Sequence, residues 1–455
     1  PTTLGGVSAR VSVNGQNFDC PMIFVLNSQV SGILPSNVPA GTATLVLTYN
    51  GQASNAITFP VVARMAGVFS RSSSGSGQSV IQNYISPSSQ PDNAINQAAH
   101  PGQVAILWAT GLGASLNGDD RNLPAPGDLL PRDQVRVYVG GVSANVEYAG
   151  RSGCCAGVDQ VNFVVPQNVE GCFVPVVVTL NGIPSNFTMM AIKNGGTQCD
   201  GAFGLDSNRL DQLISKGNLK TGSIGLMRTR MQLAGFETST ESGAAAFVEL
   251  NGLGLLAGGS SMAQGSLSAN SCAVANYRVD FDNGSAGETP DPMAAYTIRD
   301  LDAGAAISVA GPNGQKDLPK TTGEVGSYFG MLGNVLNPLS SFLTPGVYTM
   351  GNGAGGADVG AFSFTKNVPT FIDWSNRAAI VDVVRSQPLN VTWTAGQAQS
   401  GAVVITGLSY SVPKKVTSAF FCYADPAAGA FTVPAYVLNA MVASDNGGNT
   451  LLPSG

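Results

Sequence analysis

Seven cysteines and a single histidine bound the chemistry open to this 455-residue chain. The cysteines are Cys20, Cys154, Cys155, Cys172, Cys199, Cys272 and Cys422. No CxxC spacing occurs among them, and one histidine, His100, cannot complete a Cys/His zinc set. Disulfides of an oxidising compartment are the better reading, which places the chain outside the cytoplasm, secreted or at a cell surface. Adjacent residues strain disulfide geometry, so Cys154 and Cys155 are not expected to bond each other. One of them is expected to bond Cys172, closing a loop worth about 3 kcal/mol in the chain-entropy model. The other then reaches Cys199, and Cys272 pairs with Cys422. Cys20 is left over, either as a buried inert thiol or as a link between subunits.

Little else assembles into a reaction centre. His100 sits in "AAHPGQ", a Pro/Gly turn ahead of a strand, and no GxSxG elbow accompanies it. No GxxxxGK[ST] or strand-GxGxxG-helix phosphate loop occurs. A pair of glycosidase carboxylates is set by tertiary geometry and leaves no mark in sequence, but most of the 28 acidic residues lie in turns such as "NGDDRN". The chain is expected to be catalytically inert and to need no cofactor. One stretch, "DFDNGSAGETPD", offers Asp280, Asp282, Asn283 and Glu288 as hard oxygen ligands around Gly284, the donor type that Ca²⁺ takes. Its spacing departs from an EF-hand, and a solvated acidic turn is the competing reading. Trp374 and Trp393 are either sugar-stacking platforms or core residues of a sandwich, the core being the commoner place for Trp. Asn186, Asn283 and Asn390 lie in Asn-x-Ser/Thr sequons.

The elements that must position these residues read as strands. Charged residues make up 11% of the chain, and it holds 57 Gly and 26 Pro. Short β-branched runs alternate with Gly/Asn/Pro turns, the pattern of an all-β chain of tandem Ig-like or IPT-like sandwiches. One short helix is expected near 206–216, where Leu205, Leu210, Leu213 and Ile214 fall at helical spacing between a cap at Asp206 or Ser207 and a stop at Gly217. A net charge of −6, with no basic run longer than Lys414-Lys415, argues against nucleic acid. No apolar stretch reaches the roughly 18–20 residues of a membrane span.

An internal repeat organises the first half. Residues 29–59 align without gaps on residues 160–190, so that Gln29, Val30, Pro35, Asn37, Asn50, Gly51, Ser54 and Asn55 recur 131 positions later. "ARVSVNG" likewise matches "VRVYVGG", with five extra residues in the second copy around "GRSGCC". Asn-Gly between apolar runs in "TLVLTYNGQASN" and Asn-Gly in "PVVVTLNGIPSN" each mark a hairpin. The second copy also has a strand, "GQVAILWATGLG", ahead of its match to Pro1, and the first copy shows no counterpart. The domains read as 1–64, an Ig-like sandwich lacking its first strand; 65–199, a second Ig-like sandwich; 200–368, a third β domain; and 369–455, a fourth Ig-like one.

"PTTLGGVSARVSVNG", "GQVAILWATGLG", "YAGRSGCCAGVDQVNFVVP" and "GCFVPVVVTLNGIPSNF" resemble the uncharacterised Ig-like C-terminal module of large secreted acidobacterial proteins, over roughly residues 1–196. "LDAGAAISVAGPNG", "LTPGVYTMGNGAGGADVGAFSF", "LNVTWTAG" and "AFTVPAYVLNAM" are similar to segments that accompany it. The resemblance implies secretion and β-sandwich folding and supplies no catalytic residue. In such modules a strand of the "GQVAILW" type precedes "PTTLGG", from which this chain departs.

An opening with no initiator Met and no leader fits a processed secreted chain. The strand missing from the first copy is supplied by preceding residues or by a neighbouring subunit, a known mode of assembly. The favoured expectation is a structural subunit of a surface fibre or filament, a homo-oligomer joined by strand exchange, with a donor within Phe431 to Gly455. The alternative is a carbohydrate-binding or adhesion array that contacts cell-surface glycans, marked by exposed aromatic rows on one sheet face.

Overall fold

The computed structural model describes residues 1–114, 120, 127–128, 134–199, 208, 215–233, 236–251, 267–280, 285–286, 297–333, 341–394 and 402–445. The chain is all-β, in several antiparallel sheets. The first unit holds β1 (Thr3–Leu4), β2 (Val7–Val13), β3 (Gln16–Asp19), β4 (Met22–Val25), β5 (Val30–Gly32), β6 (Gly41–Tyr49), β7 (Gln52–Ala53) and β8 (Ile57–Val61). One sheet runs β1-β2-β6-β7, with β3 beside β2 and β8 beside β6, and β4-β5 forms a separate two-stranded sheet. The alternation in "VSARVSV" puts Val7, Ala9, Val11 and Val13 into the core and the residues between them toward the outside.

The second unit repeats this plan and adds to it. Its strands are β9 (Gly67–Val68), β10 (Ile81–Asn83), β11 (Val104–Thr110), β12 (Gly127–Asp128), β13 (Val135–Val139), β14 (Val142–Arg151), β15 (Asp159–Val164), β16 (Gly171–Leu180), β17 (Ile183–Pro184) and β18 (Thr188–Ile192). β14 pairs with β13 at its start and with β15 further on, so one bent strand joins the two layers. Its register shifts between Val146 and Tyr148. The equivalent place in the first unit is Pro21, between β3 and β4. A residue without an N–H is tolerated where the ladder is already broken, so the first unit divides into two strands what the second makes as one. The Asn-Gly hairpins form as the sequence suggests. Asn50 and Gly51 take φ of 48° and 83°, and Asn181 and Gly182 take 49° and 81°, the left-handed pair of a type I′ turn.

The rest of the chain supplies β19 (Asn218–Leu233), β20 (Phe236–Asn251), β21 (Ser271–Asp280), β22 (Ser285–Ala286), β23 (Thr297–Asp300), β24 (Ala306–Gly311), β25 (Gly314–Pro319), β26 (Ser327–Met331), β27 (Gly346–Gly351), β28 (Ser363–Val368), β29 (Leu389–Thr392), β30 (Val403–Ser411), β31 (Val416–Ala424) and β32 (Ala430–Val433). β19 and β20 form a hairpin of 16 residues a side, to which β23 and β26 add. With the sheet β25-β24-β27-β28 it encloses Phe247, Leu301, Ile307, Leu318, Tyr328 and Tyr348.

β21 departs from the expected division at 368/369. It pairs with β31 in the sheet β22-β21-β31-β30, so residues 271–280 and 285–286 belong with β30 and β31. Reading contiguous segments as domains misses this pairing, because it joins strands far apart in sequence. Cys272 lies directly opposite Cys422 and is bonded to it. Phe173, Val177 and Phe187 of the second unit share one core with Trp393, Phe420 and Val437. The described α-helix, α1 (Ala435–Asn439), closes that core with Tyr436 stacked on Tyr138, ring centroids 4.3 Å apart. β32 and α1 are thus built into their own fold, which removes residues 431–441 as a strand donor; 446–455 lie outside the described residues. Most of 206–216 also lies outside them, although Asn208, Ser215 and Lys216 are helical.

The other cysteine pairings differ from expectation. Cys172 bonds Cys199, and Cys154 bonds Cys155. Cys172 and Cys199 are both buried in the shared core, whereas Cys154 and Cys155 are exposed in the β14–β15 loop and out of their reach. Cys20 is buried in the first core, where loss of water raises its thiol pKa. Its burial favours the inert thiol over the link between subunits. Non-reducing peptide mapping should return the pairs 154–155, 172–199 and 272–422. Replacing Cys272 and Cys422 together by Ala should lower stability by about 3–5 kcal/mol in urea unfolding, because the bond closes a long loop.

Candidate functional site

The repeat lets the sheet edges of the first two units be compared residue by residue. β5 pairs with β4 through Val25–Val30, Phe24–Ser31 and Met22–Gly32. The ladder is extended by the Leu26 N–H to the Gln29 carbonyl and the Ile33 N–H to the Pro21 carbonyl, both 2.8 Å. Among the described residues no other strand lies beside β5. Its counterpart β15 is flanked on both sides, by β14 and by β11. Residues 161–163, which match 30–32, face Leu107, Ile106 and Ala105 of β11.

Burial follows the pairing. Val161, Phe163, Val176 and Val178 are 0% exposed in the second unit. Val30, Leu45 and Leu47, at the positions of Val161, Val176 and Val178, are only partly buried. Ile23 and Leu26 on the same hairpin are 51% and 59% exposed. Covering such side chains contributes roughly 1.5–3 kcal/mol each, and an open apolar edge of this kind is a template for another strand.

The edge is held rigidly from one side. Just beyond β5, Ile33 packs on the second unit so closely that a Cβ on Gly157 would stand 3.0 Å from it. The Ser36 N–H and hydroxyl donate to Asp120 at 2.7 and 2.6 Å. The loop carrying Gly157 and the Cys154–Cys155 bond is itself fixed. Asp159, 0% exposed, accepts the Leu112 N–H at 2.8 Å and a guanidinium N–H of Arg151. Arg151 also donates to the Gly113 carbonyl at 2.7 Å. None of these residues stands out in the sequence; the charges of Arg151 and Asp159 across the end of a hairpin were the available signal.

The other candidate residues do not converge. His100 Nδ1 lies 3.0 Å from the Lys193 carbonyl and its backbone N–H donates to Gln103 at 2.9 Å, and among the described residues no hydrogen bond joins its ring to a hydroxyl, thiol or carboxylate. Asp280 ends β21, while Asp282, Asn283 and Glu288 lie outside the described residues, and no set of metal-ligating side chains occurs among the described ones. Trp393 is core at 5% exposed, whereas Trp374 is 48% exposed with its indole N–H on Asn376. Asn186 is spent on Val68 and Gly75, while Asn390 is exposed on β29. No helix among the described residues is long and apolar enough to cross a membrane.

The chain is thus an all-β protein of several units whose three disulfides suit an extracellular or surface setting. No family model and no curated protein matches it. Among solved structures it is similar to SGBP-B of the Bacteroides ovatus mixed-linkage glucan utilization locus, solved with a mixed-linkage heptasaccharide, at 10% identity over 95% of this chain and 83% of that one, TM-score 0.15. It is also similar to domains 4–9 of surface layer protein SbsC, at 12% identity over 90% and 66%, TM-score 0.14. A Salmonella alpha-2-macroglobulin matches at 10% identity over 95% of this chain and 25% of that one, TM-score 0.16. Superpositions this loose carry no argument about topology or function.

Equivalent truncations in the two units should therefore have unequal effects. Val178→Ala opens a cavity in a closed core and should cost about 1–3 kcal/mol, whereas Leu47→Ala, although it removes more atoms, should cost less than about 1 kcal/mol. Urea unfolding of the dilute full chain checks both. Asp159→Ala should cost about 3–5 kcal/mol by leaving the largely buried Arg151 guanidinium without its counter-charge.

Proposed function

We propose that the chain is a non-enzymatic extracellular structural protein, a subunit of a surface fibre or filament whose first unit accepts a β-strand from a neighbouring subunit at the β5 edge. The observation that carries this reading is the contrast between β5, paired on one side, and β15, paired on both. A six- or seven-residue apolar strand of the β11 kind would continue the β4-β5 ladder and bury Val30, Leu45 and Leu47. Main-chain bonds give such an added strand its affinity and side-chain pockets its specificity. The resemblance to secreted acidobacterial modules belongs to the same reading. If acceptor and donor lie on different faces of the subunit, the contact is heterologous and propagates into an open filament.

The alternative, a carbohydrate-binding or adhesion array, would be favoured by a row of exposed aromatics. Phe24, Tyr49, Tyr277, Phe329 and Phe364 are exposed on different sheets, and Trp374 is exposed ahead of β29. Phe69 and Tyr84 are both exposed beside β11, bonded to Trp108 and Val104, and make a pair rather than a row. Inertness is part of the proposal, and it is supported by His100, which among the described residues hydrogen-bonds a backbone carbonyl and an amide.

The test is sedimentation velocity on the full chain across a range of concentrations, with and without a synthetic peptide of residues 102–110. The proposal predicts concentration-dependent oligomers that saturating peptide disperses. A monomer at every concentration, indifferent to the peptide, would contradict it. A longer form of the protein that supplies the strand within the same chain and stays monomeric would equally end the assembly reading.

A further inference from the structure

A cavity in the second unit serves neither the β5 edge nor the core. It opens beside β10 and β11, has a volume of about 500 Å³, and has no acidic residue, lysine or arginine in its wall. Gln97, His100, Gln103 and Thr197 supply polar groups, and Ile85 and Pro101 supply an apolar rim. Asn83 also lines it and is fully engaged. Its amide donates to the Gln97 carbonyl at 2.8 Å, and its oxygen accepts from Asn93 at 3.0 Å. Gln103 is engaged as well, accepting from the His100 N–H and donating to the Tyr84 carbonyl at 3.1 Å.

His100 is held in one tautomer. A carbonyl oxygen only accepts, so the 3.0 Å contact with Lys193 puts a proton on Nδ1, and in the neutral ring this leaves Nε2 as an acceptor. Among the described residues, Nε2, the Gln97 side-chain amide and the Thr197 hydroxyl have no hydrogen-bond partner. The wall thus offers one fixed acceptor and two groups that both donate and accept.

We propose that this cavity binds a neutral polyhydroxylated ring, a pyranose unit of a saccharide. Carboxylates and phosphates are disfavoured, because nothing in the wall compensates a desolvated charge. A nucleobase would find His100 as its only aromatic ring in the wall, with no second ring to stack its other face. Hydroxyl groups both donate and accept, so adjacent sugar hydroxyls satisfy Nε2, the Gln97 amide and Thr197 together, while Ile85 and Pro101 meet the C–H face. The volume lies within the range of small-molecule sites. This inference does not depend on the strand-accepting edge.

The experiment uses the full chain on an array of immobilised neutral oligosaccharides (glucans, galactans, mannans), with sulfated and sialylated glycans alongside. Calorimetric titration with free glucose, galactose and mannose is the second arm. At least one neutral sugar should bind in preference to the charged ones. Binding in both arms marks a free sugar as a sufficient ligand, and binding on the array alone marks the end of a polymer; either supports the proposal. His100→Ala and Gln97→Ala should each weaken binding about tenfold, the loss of one hydrogen bond, while Phe329→Ala, on another sheet, should leave it unchanged. Thr197→Val, at an exposed position, gives the same reading if either of the first two variants melts early. Sugar binding that survives the three cavity variants, or no neutral sugar bound in either arm, would overturn the proposal.

Discussion

A strand at the edge of a sheet carries a row of N–H and C=O groups that need partners, and beneath it lies apolar surface that needs a cover. How each unit of this chain meets that need accounts for most of its organisation. The second unit meets it internally: β11 covers β15, β10 and β9 cover β11, and the side chains beneath become fully buried. The first unit has the matching hairpins and turn residues, with the bent strand divided at Pro21, and leaves β5 paired on one side. The second unit has in addition β9, β10 and β11 and the burial that they bring.

The later units are tied together by pairing over long sequence separations. β21 crosses to β31 and is bonded there through Cys272 and Cys422, and α1 seals the fourth unit against the second through Tyr138 on β13 and Phe187 just ahead of β18. Such long-range contacts make the second and fourth units share one core, so the second unit is a firm base. The contacts of Ile33 with Gly157 and Ser36 with Asp120 transmit that firmness to the hairpin that carries β5. A rigid edge loses less entropy on accepting a strand than a mobile one does.

Local features were legible in the sequence. Asn50-Gly51 and Asn181-Gly182 announce type I′ hairpins because few other dipeptides tolerate two left-handed residues, and the strand alternation of "VSARVSV" follows from one-sided burial. The repeat showed which residues of the first unit, 29–59, correspond to 160–190 of the second. Non-local choices were not legible. Nothing in the residues around Cys172 says that Cys199 lies beside it while Cys154 and Cys155 stay exposed together, and nothing in "SCAVANYRVD" says that its neighbour is 150 positions away. Trp374 and Trp393 show the same limit: two similar residues, one exposed and one core, separated by packing alone. The cavity beside His100 is likewise assembled from three separate stretches of chain.

The central claim is that the β5 edge is open until another strand covers it. Amide hydrogen exchange of residues 30–32, compared with 161–163 in the same sample, tests it most directly. The account predicts fast exchange at 30–32 in dilute protein, slowing toward the rate at 161–163 as concentration rises and the edge is filled. Exchange at 30–32 that matches 161–163 at every dilution would contradict it.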